Sequence, residues 1–146
     1  MQSAMAVIET VVYAVHMVFA GLLTGSVLFT ALTVPRIADN ISTSVRETIA
    51  GTLKYISRGS ATLLVLTGGY MFTIAGYTDG GKLTSTGTGH AVIGMVVLWF
   101  LLTGLTEVAG SRIERGDDAT TFLYGGAVLA VALLLDAGWI VGYPYL

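Results

Sequence analysis

The two histidines of this 146-residue chain lie in or beside long apolar stretches, where ionisable side chains are rare. His16 stands inside "VVYAVHMVFAGLLTGSVLF", residues 11–29, and His90 stands at the start of another apolar stretch. An ionisable group inside a membrane span costs about 2.5 kcal/mol or more to insert, so each such group indicates a functional site. Imidazole nitrogens bind haem iron and copper, and they also carry protons.

Small residues lie about one turn from each histidine if both stretches are helical. Ala20 follows His16 on its stripe and Gly94 follows His90, which predicts free space beside both rings. Tyr13 shares the stripe of His16 and is placed to orient a ligand or to contact its edge.

An acid and a tryptophan complete the predicted surroundings. Asp136 lies in the last apolar stretch on a face of small residues, so we expect it to point into the bundle and orient a ligand. Either Asp136 or Glu9 is the acid that would complete a copper site. Trp99 lies opposite His90 on the same helix and is expected to face lipid.

Two imidazoles on separate helices are compatible with several functions. As axial ligands of one b-type haem, His16 and His90 would serve electron transfer or haem handling, and two imidazoles leave no open iron position, which favours electron transfer. A copper-binding or copper-transporting protein is the alternative, and proton transfer is a third use of the same groups. A structural membrane subunit without a cofactor also remains open. No catalytic residue is assigned, and the pattern does not decide whether the chain is an enzyme.

The composition is that of a membrane protein. Hydrophobic residues make up 54% of the chain and charged residues 11%, whereas soluble domains carry about 25% charged residues. The mean hydropathy is +0.80. A net charge of −2 gives no support for nucleic-acid binding. Because the chain has no cysteine, any metal must be held by nitrogen or oxygen.

Four apolar stretches are long enough to cross about 30 Å of hydrocarbon as helices. They cover residues 11–34, 60–77, 91–108 and 122–143. The expected fold is therefore all-α, an integral membrane four-helix bundle forming a single transmembrane domain over residues 1–146. We expect a multi-pass protein of the cell membrane whose surroundings are the lipid bilayer.

Six of the seven basic residues lie in two alternate connections, between the first and second stretches and between the third and fourth. Basic connections tend to stay in the cytoplasm, so both termini are expected outside. Residues 41–57 have apolar side chains at helical spacing, and they would either lie on the inner membrane surface or extend the second helix, with Asn40 as N-cap.

Glycine is abundant, with 19 residues, many of them inside the apolar stretches. Small residues let membrane helices approach closely, so glycine-rich faces predict tight packing within the bundle. The same faces could pack against copies of this chain, and a redox partner protein is the other partner we expect.

Two segments carry a resemblance to a known family. "HMVFAGLLTGSVLFTALTVPRI", then "ISRGSATLLVLTGGYMF" and a third helix that opens with histidine, resemble the CopD-like membrane proteins, which include copper-resistance proteins and HemJ-type protoporphyrinogen oxidases. The resemblance implies a small helical membrane protein with histidines in its first and third helices. In HemJ-type members these positions are associated with b-type haem, and in copper-resistance members with copper import. His16 and His90 are the matching positions.

Overall fold

The computed structural model describes residues 2–79 and 81–142, and these residues form helices and short connections without any strand. The long helices are α1 (Gln2–Ile37), α2 (Thr43–Ile74), α4 (Gly87–Arg115) and α5 (Thr120–Gly142). A short helix, α3 (Lys82–Ser85), precedes α4, and 3-10 turns cover Ala38–Asn40 and Tyr77–Asp79. The all-α prediction is confirmed for this part of the chain.

The four long helices pack in a ring. Helix α1 packs against α2 and α5, and α4 packs against the same two helices, so α1 and α4 lie on a diagonal. Helix α3 packs against the first part of α4. We call the end with the α1–α2 and α4–α5 connections the basic end, and the end with residues 75–86 the loop end.

Three helices are long and apolar enough to cross a membrane, which marks the chain as a membrane protein. They are Ala4–Asn40, Gly87–Arg115 and Thr120–Gly142. Helix α2 does not meet this criterion among the described residues. It ends at Ile74, so residues 75–77 of the predicted second stretch lie beyond it. Tyr143, the last residue of the predicted fourth stretch, lies outside the described residues.

The start of α2 differs from the predicted one. Residues 43–57 continue directly into the apolar part of one helix, so this segment extends the helix instead of lying on a membrane surface. The N-cap is Ser42, whose side chain accepts a hydrogen bond from the Val45 backbone N–H at 3.4 Å. Asn40 lies in the preceding 3-10 turn, so its prediction as N-cap is wrong. The 3-10 turn at Ala38–Asn40 moves the N-cap of α2 two residues later than predicted.

The bundle is packed more tightly toward its basic end than toward its loop end. The cluster of buried apolar side chains in α1 begins at Leu23, and no residue of α1 between 4 and 22 is buried. In α5 the last buried residue is Leu133, and residues 134–142 are exposed or half-buried. The half that carries the predicted site is therefore the looser half.

Asp118 accepts a hydrogen bond from the first residue of α5 at the basic end. Its Oδ1 accepts a hydrogen bond from the Thr120 backbone N–H at 2.8 Å. Hydrogen bonds from the Thr120 hydroxyl and then its backbone N–H hold the pKa of Asp118 below its ordinary value. Stability from this carboxylate is fully present above the unfolded pKa of about 3.9 and is lost as pH falls through the lower folded pKa.

We therefore expect the thermal midpoint of the purified protein to decrease when the pH is lowered below about 4. In Asp118→Asn we expect this decrease to be smaller. Circular dichroism in a neutral detergent between neutral and acidic pH measures it. Asp39→Asn is the control, because the Asp39 carboxylate has no hydrogen bond to the described part of the chain. An equal acid-induced fall in wild type and Asp118→Asn would contradict the assignment.

Candidate functional site

His16 lies half-buried on the inward face of α1 and contacts α2. Its Nδ1 is 2.8 Å from the Thr67 hydroxyl oxygen. That hydroxyl donates its own proton to the Leu63 carbonyl oxygen at 2.6 Å, so it accepts a hydrogen bond from Nδ1–H of His16. The lone pair of the neutral ring is then on Nε2, which has no hydrogen-bond partner in the described residues. This is the tautomer in which Nε2 can bind a metal.

Glycine on α2 makes room for the ring. A Cβ atom on Gly68 would lie 3.3 Å from Cε1 of His16, which is tighter than ordinary van der Waals contact. Helix α2 thus supplies both the hydrogen-bond acceptor, Thr67, and the space beside it. Ala20, predicted to clear space, is half-buried and packs against the apolar core. Tyr13 is 45% exposed.

His90 lies in the first turns of α4, and its side chain is exposed. Val97 and Leu101, farther along the same stripe, are 51% and 50% exposed, so this stripe is not the buried face of α4. Trp99 packs half-buried against the core instead. The prediction that Trp99 faces lipid is therefore wrong, because the face of α4 that packs on the core carries Leu102 and Trp99.

Asp136 fills the space that Gly94 leaves. A Cβ atom on Gly94 would lie 3.7 Å from Oδ1 of Asp136 and 4.0 Å from Oδ2. The predicted slot below His90 is thus occupied by an acid from the neighbouring helix α5. Oδ2 is buried and has no hydrogen-bond partner among the described residues. The expectation that Asp136 points into the bundle agrees with this contact.

The two imidazoles have different surroundings. His16 is turned toward α2, whereas His90 is exposed on the diagonal helix α4. Within residues 2–79 and 81–142, no group of three or more histidine and acidic side chains is placed to hold a metal ion. His16 therefore fits the role of an imidazole ligand, whereas the side chain of His90 lies exposed on α4.

Ion pairs join α2 and α4 at the basic end. Glu107 accepts two hydrogen bonds from Arg58, at 3.1 and 2.8 Å. The sequence predicts a partner for Glu107 in either Arg58 or Lys54, and the structure selects Arg58. Lys54 pairs with Glu114 instead, at 2.5 Å. These charges close the basic end of the α2–α4 contact and lie far along the helices from His16.

Comparison with known proteins identifies no relative of this chain. No family model matches the chain, and neither the curated proteins nor the solved structures include a match. The resemblance to CopD-like and HemJ-type proteins therefore depends on the sequence pattern alone and stays a prediction.

Proposed function

We propose that all four long helices cross the bilayer, with the basic end in the cytoplasm and both termini outside. Helix α2 packs between α1 and α4, both of which are apolar enough to span. Its Arg58 has a carboxylate partner, which lowers the cost of placing this base near hydrocarbon. Six of the seven bases lie in the two connections at the basic end, in keeping with cytoplasmic loops.

We further propose that the chain is a b-type haem protein of the cell membrane with His16 as iron ligand. The observation that carries this proposal is the orientation of the His16 ring, with Nδ1–H held by Thr67 and Nε2 left free. Histidine ligands of metals are commonly fixed in this way by a hydrogen bond from the other ring nitrogen. No residue of α1 between 4 and 22 is buried, which supports access of a flat group to this ring.

The residues around His16 would perform different tasks. Thr67 fixes the tautomer and the ring orientation, and Gly68 leaves the ring free of a neighbouring side chain. Bound haem would supply a redox-active iron whose potential depends on its axial ligands. Electron transfer favours two imidazoles, and His90 lies on an exposed face, so the arrangement favours haem handling over electron transfer.

The absorption spectrum of the purified protein tests this function. We expect a Soret band in wild type and in His90→Ala, and its loss in His16→Ala, because only His16 offers an inward imidazole. Thr67→Val is expected to weaken haem binding by roughly 10- to 100-fold, since the ring loses its acceptor. Thr73→Val is the matched control, because within the described residues the Thr73 hydroxyl bonds only to the Gly69 carbonyl of its own helix.

Other outcomes would select the alternatives. Loss of the band in both His16→Ala and His90→Ala would restore the bis-histidine site and overturn the single-ligand assignment. A colourless protein that binds copper would favour a copper-handling function. A colourless protein that binds no copper would leave a structural membrane subunit as the function.

A further inference from the structure

A second polar surface lies on α2 toward the basic end, away from His16. It is an open depression of ≈ 530 Å³ lined by two bases, two hydroxyl groups and two glycines, and no acid lines it. Its lining residues are Gly51, Lys54, Tyr55, Arg58, Gly59 and Thr62. This combination of residue types provides hydrogen-bond donors without a carboxylate in the lining, so it suits an anion.

The bases keep unused donors although each has a glutamate partner. Arg58 uses Nε and one hydrogen of Nη2 on Glu107, which leaves three of its five N–H groups. Lys54 uses one of its three N–H groups on Glu114, which leaves two N–H groups free. Both glutamates belong to α4 and lie outside the lining. Tyr55, 82% exposed, adds a phenolic O–H. The surface is therefore rich in donors and poor in acceptors.

The depression also has space for a bound anion, and its position along α2 indicates which kind of anion it binds. A Cβ atom on Gly51 or Gly59 would meet nothing within 4 Å, so the floor is open. Just beyond Arg58, the apolar part of α2 begins. In a spanning helix this boundary lies at the level of the lipid headgroups, where basic pockets meet anionic lipid.

We propose that this depression binds the phosphate of an anionic phospholipid. The phosphate contacts the free N–H groups of Arg58 and Lys54, and the acyl chains follow the apolar part of α2 toward the loop end. Free inorganic phosphate offers the same charge but lacks the acyl chains. This site rests on the proposed membrane crossing of α2 but not on haem binding, so loss of the haem proposal leaves it standing.

Native mass spectrometry of the full chain from mixed phosphatidylglycerol and phosphatidylcholine vesicles tests the proposal. We expect wild type to retain phosphatidylglycerol preferentially. Nothing lies within 4 Å of the Cβ position of Gly59, so Gly59→Leu adds bulk to the floor, and we expect a roughly five- to tenfold loss of retained phosphatidylglycerol. Gly138→Leu is the matched control, because its site is also open but lies near the loop end of α5.

Gly51→Leu repeats the test in the same depression, and the thermal midpoint in phosphatidylcholine shows that each variant folds. Equal phosphatidylglycerol retention by wild type and both glycine variants would overturn the proposal. A wild-type protein without preference for phosphatidylglycerol would do so as well. If inorganic phosphate raised the thermal midpoint as much as phosphatidylglycerol does, the ligand would be phosphate and the lipid assignment would be wrong.

Discussion

Gly89→Ala is expected to lower the free energy of unfolding by about 2 kcal/mol, because the new methyl group overlaps backbone atoms of α3. A Cβ atom on Gly89 would lie 2.7 Å from both the Leu83 carbonyl carbon and the Lys82 carbonyl oxygen, and closer still to the Leu83 carbonyl oxygen. Backbone cannot rotate away as a side chain can. Relief therefore requires α3 to leave the first turn of α4.

The displacement would also break the contacts that α3 makes with the end of α2. Lys82 donates a hydrogen bond to the Ala75 carbonyl oxygen at 2.6 Å and lies 5.2 Å from the centre of the Tyr77 ring. We expect a lower thermal midpoint and faster proteolysis between residues 75 and 89. Gly138→Ala is the control, since its site is open and alanine gains roughly 0.5–1 kcal/mol in a helix. A Gly89→Ala variant as stable as this control would refute the packing of α3 on α4.

Gly126→Leu is expected to have the second large effect, by separating α5 from α1. A Cβ atom on Gly126 would lie 3.2 Å from Cγ1 of Val27 and 3.9 Å from Cδ1 of Leu102. Three further carbon atoms have no space, so we expect a loss of about 3 kcal/mol or more. Thermal unfolding in detergent measures it, and Gly21→Leu is the control, because nothing lies within 4 Å of its Cβ position.

A pair of smaller changes shows whether the Val27 contact is the cause. Gly126→Ala alone should destabilise the bundle, and adding Val27→Ala should recover part of the loss, because the methyl group that meets the new Cβ atom is removed. In a double-mutant cycle, contacting residues couple by about 0.5–3 kcal/mol. Additive effects would show that the two helices do not approach at this point.

The sequence predicts the helices and the position of His16 well. The apolar stretches are long enough to need satisfied backbone groups, so helices follow directly, and the four long helices cover most of the predicted stretches. His16 shares a stripe with Ala20 and Leu23, and the structure turns that stripe inward. A single ionisable residue in an apolar helix is a strong signal for an inward face.

The orientation of α4 could not be predicted in the same way. Its apolar residues occur on every face, so hydrophobicity does not distinguish the side toward protein from the side toward lipid. Trp99 packs inward and Val97 lies outward, so the buried face of α4 is not the predicted one and His90 is exposed. Thr67 carries another part of the site that sequence analysis missed. In the sequence Thr67 is only a hydroxyl residue beside the glycine pair of "LTGGY". Its role becomes visible when the structure places His16 of α1 against it.

The Arg58–Glu107 pair has a consequence for how the chain enters its membrane during synthesis. Among the described long helices, α2 alone is too polar to be recognised as a membrane span, and Arg58 is part of the reason. The neutralising carboxylate belongs to α4, 49 residues later in the chain. The translocon therefore meets the base before its counter-charge has been synthesised. For α2 to cross the bilayer as proposed, its stable integration should wait until the ribosome has delivered α4.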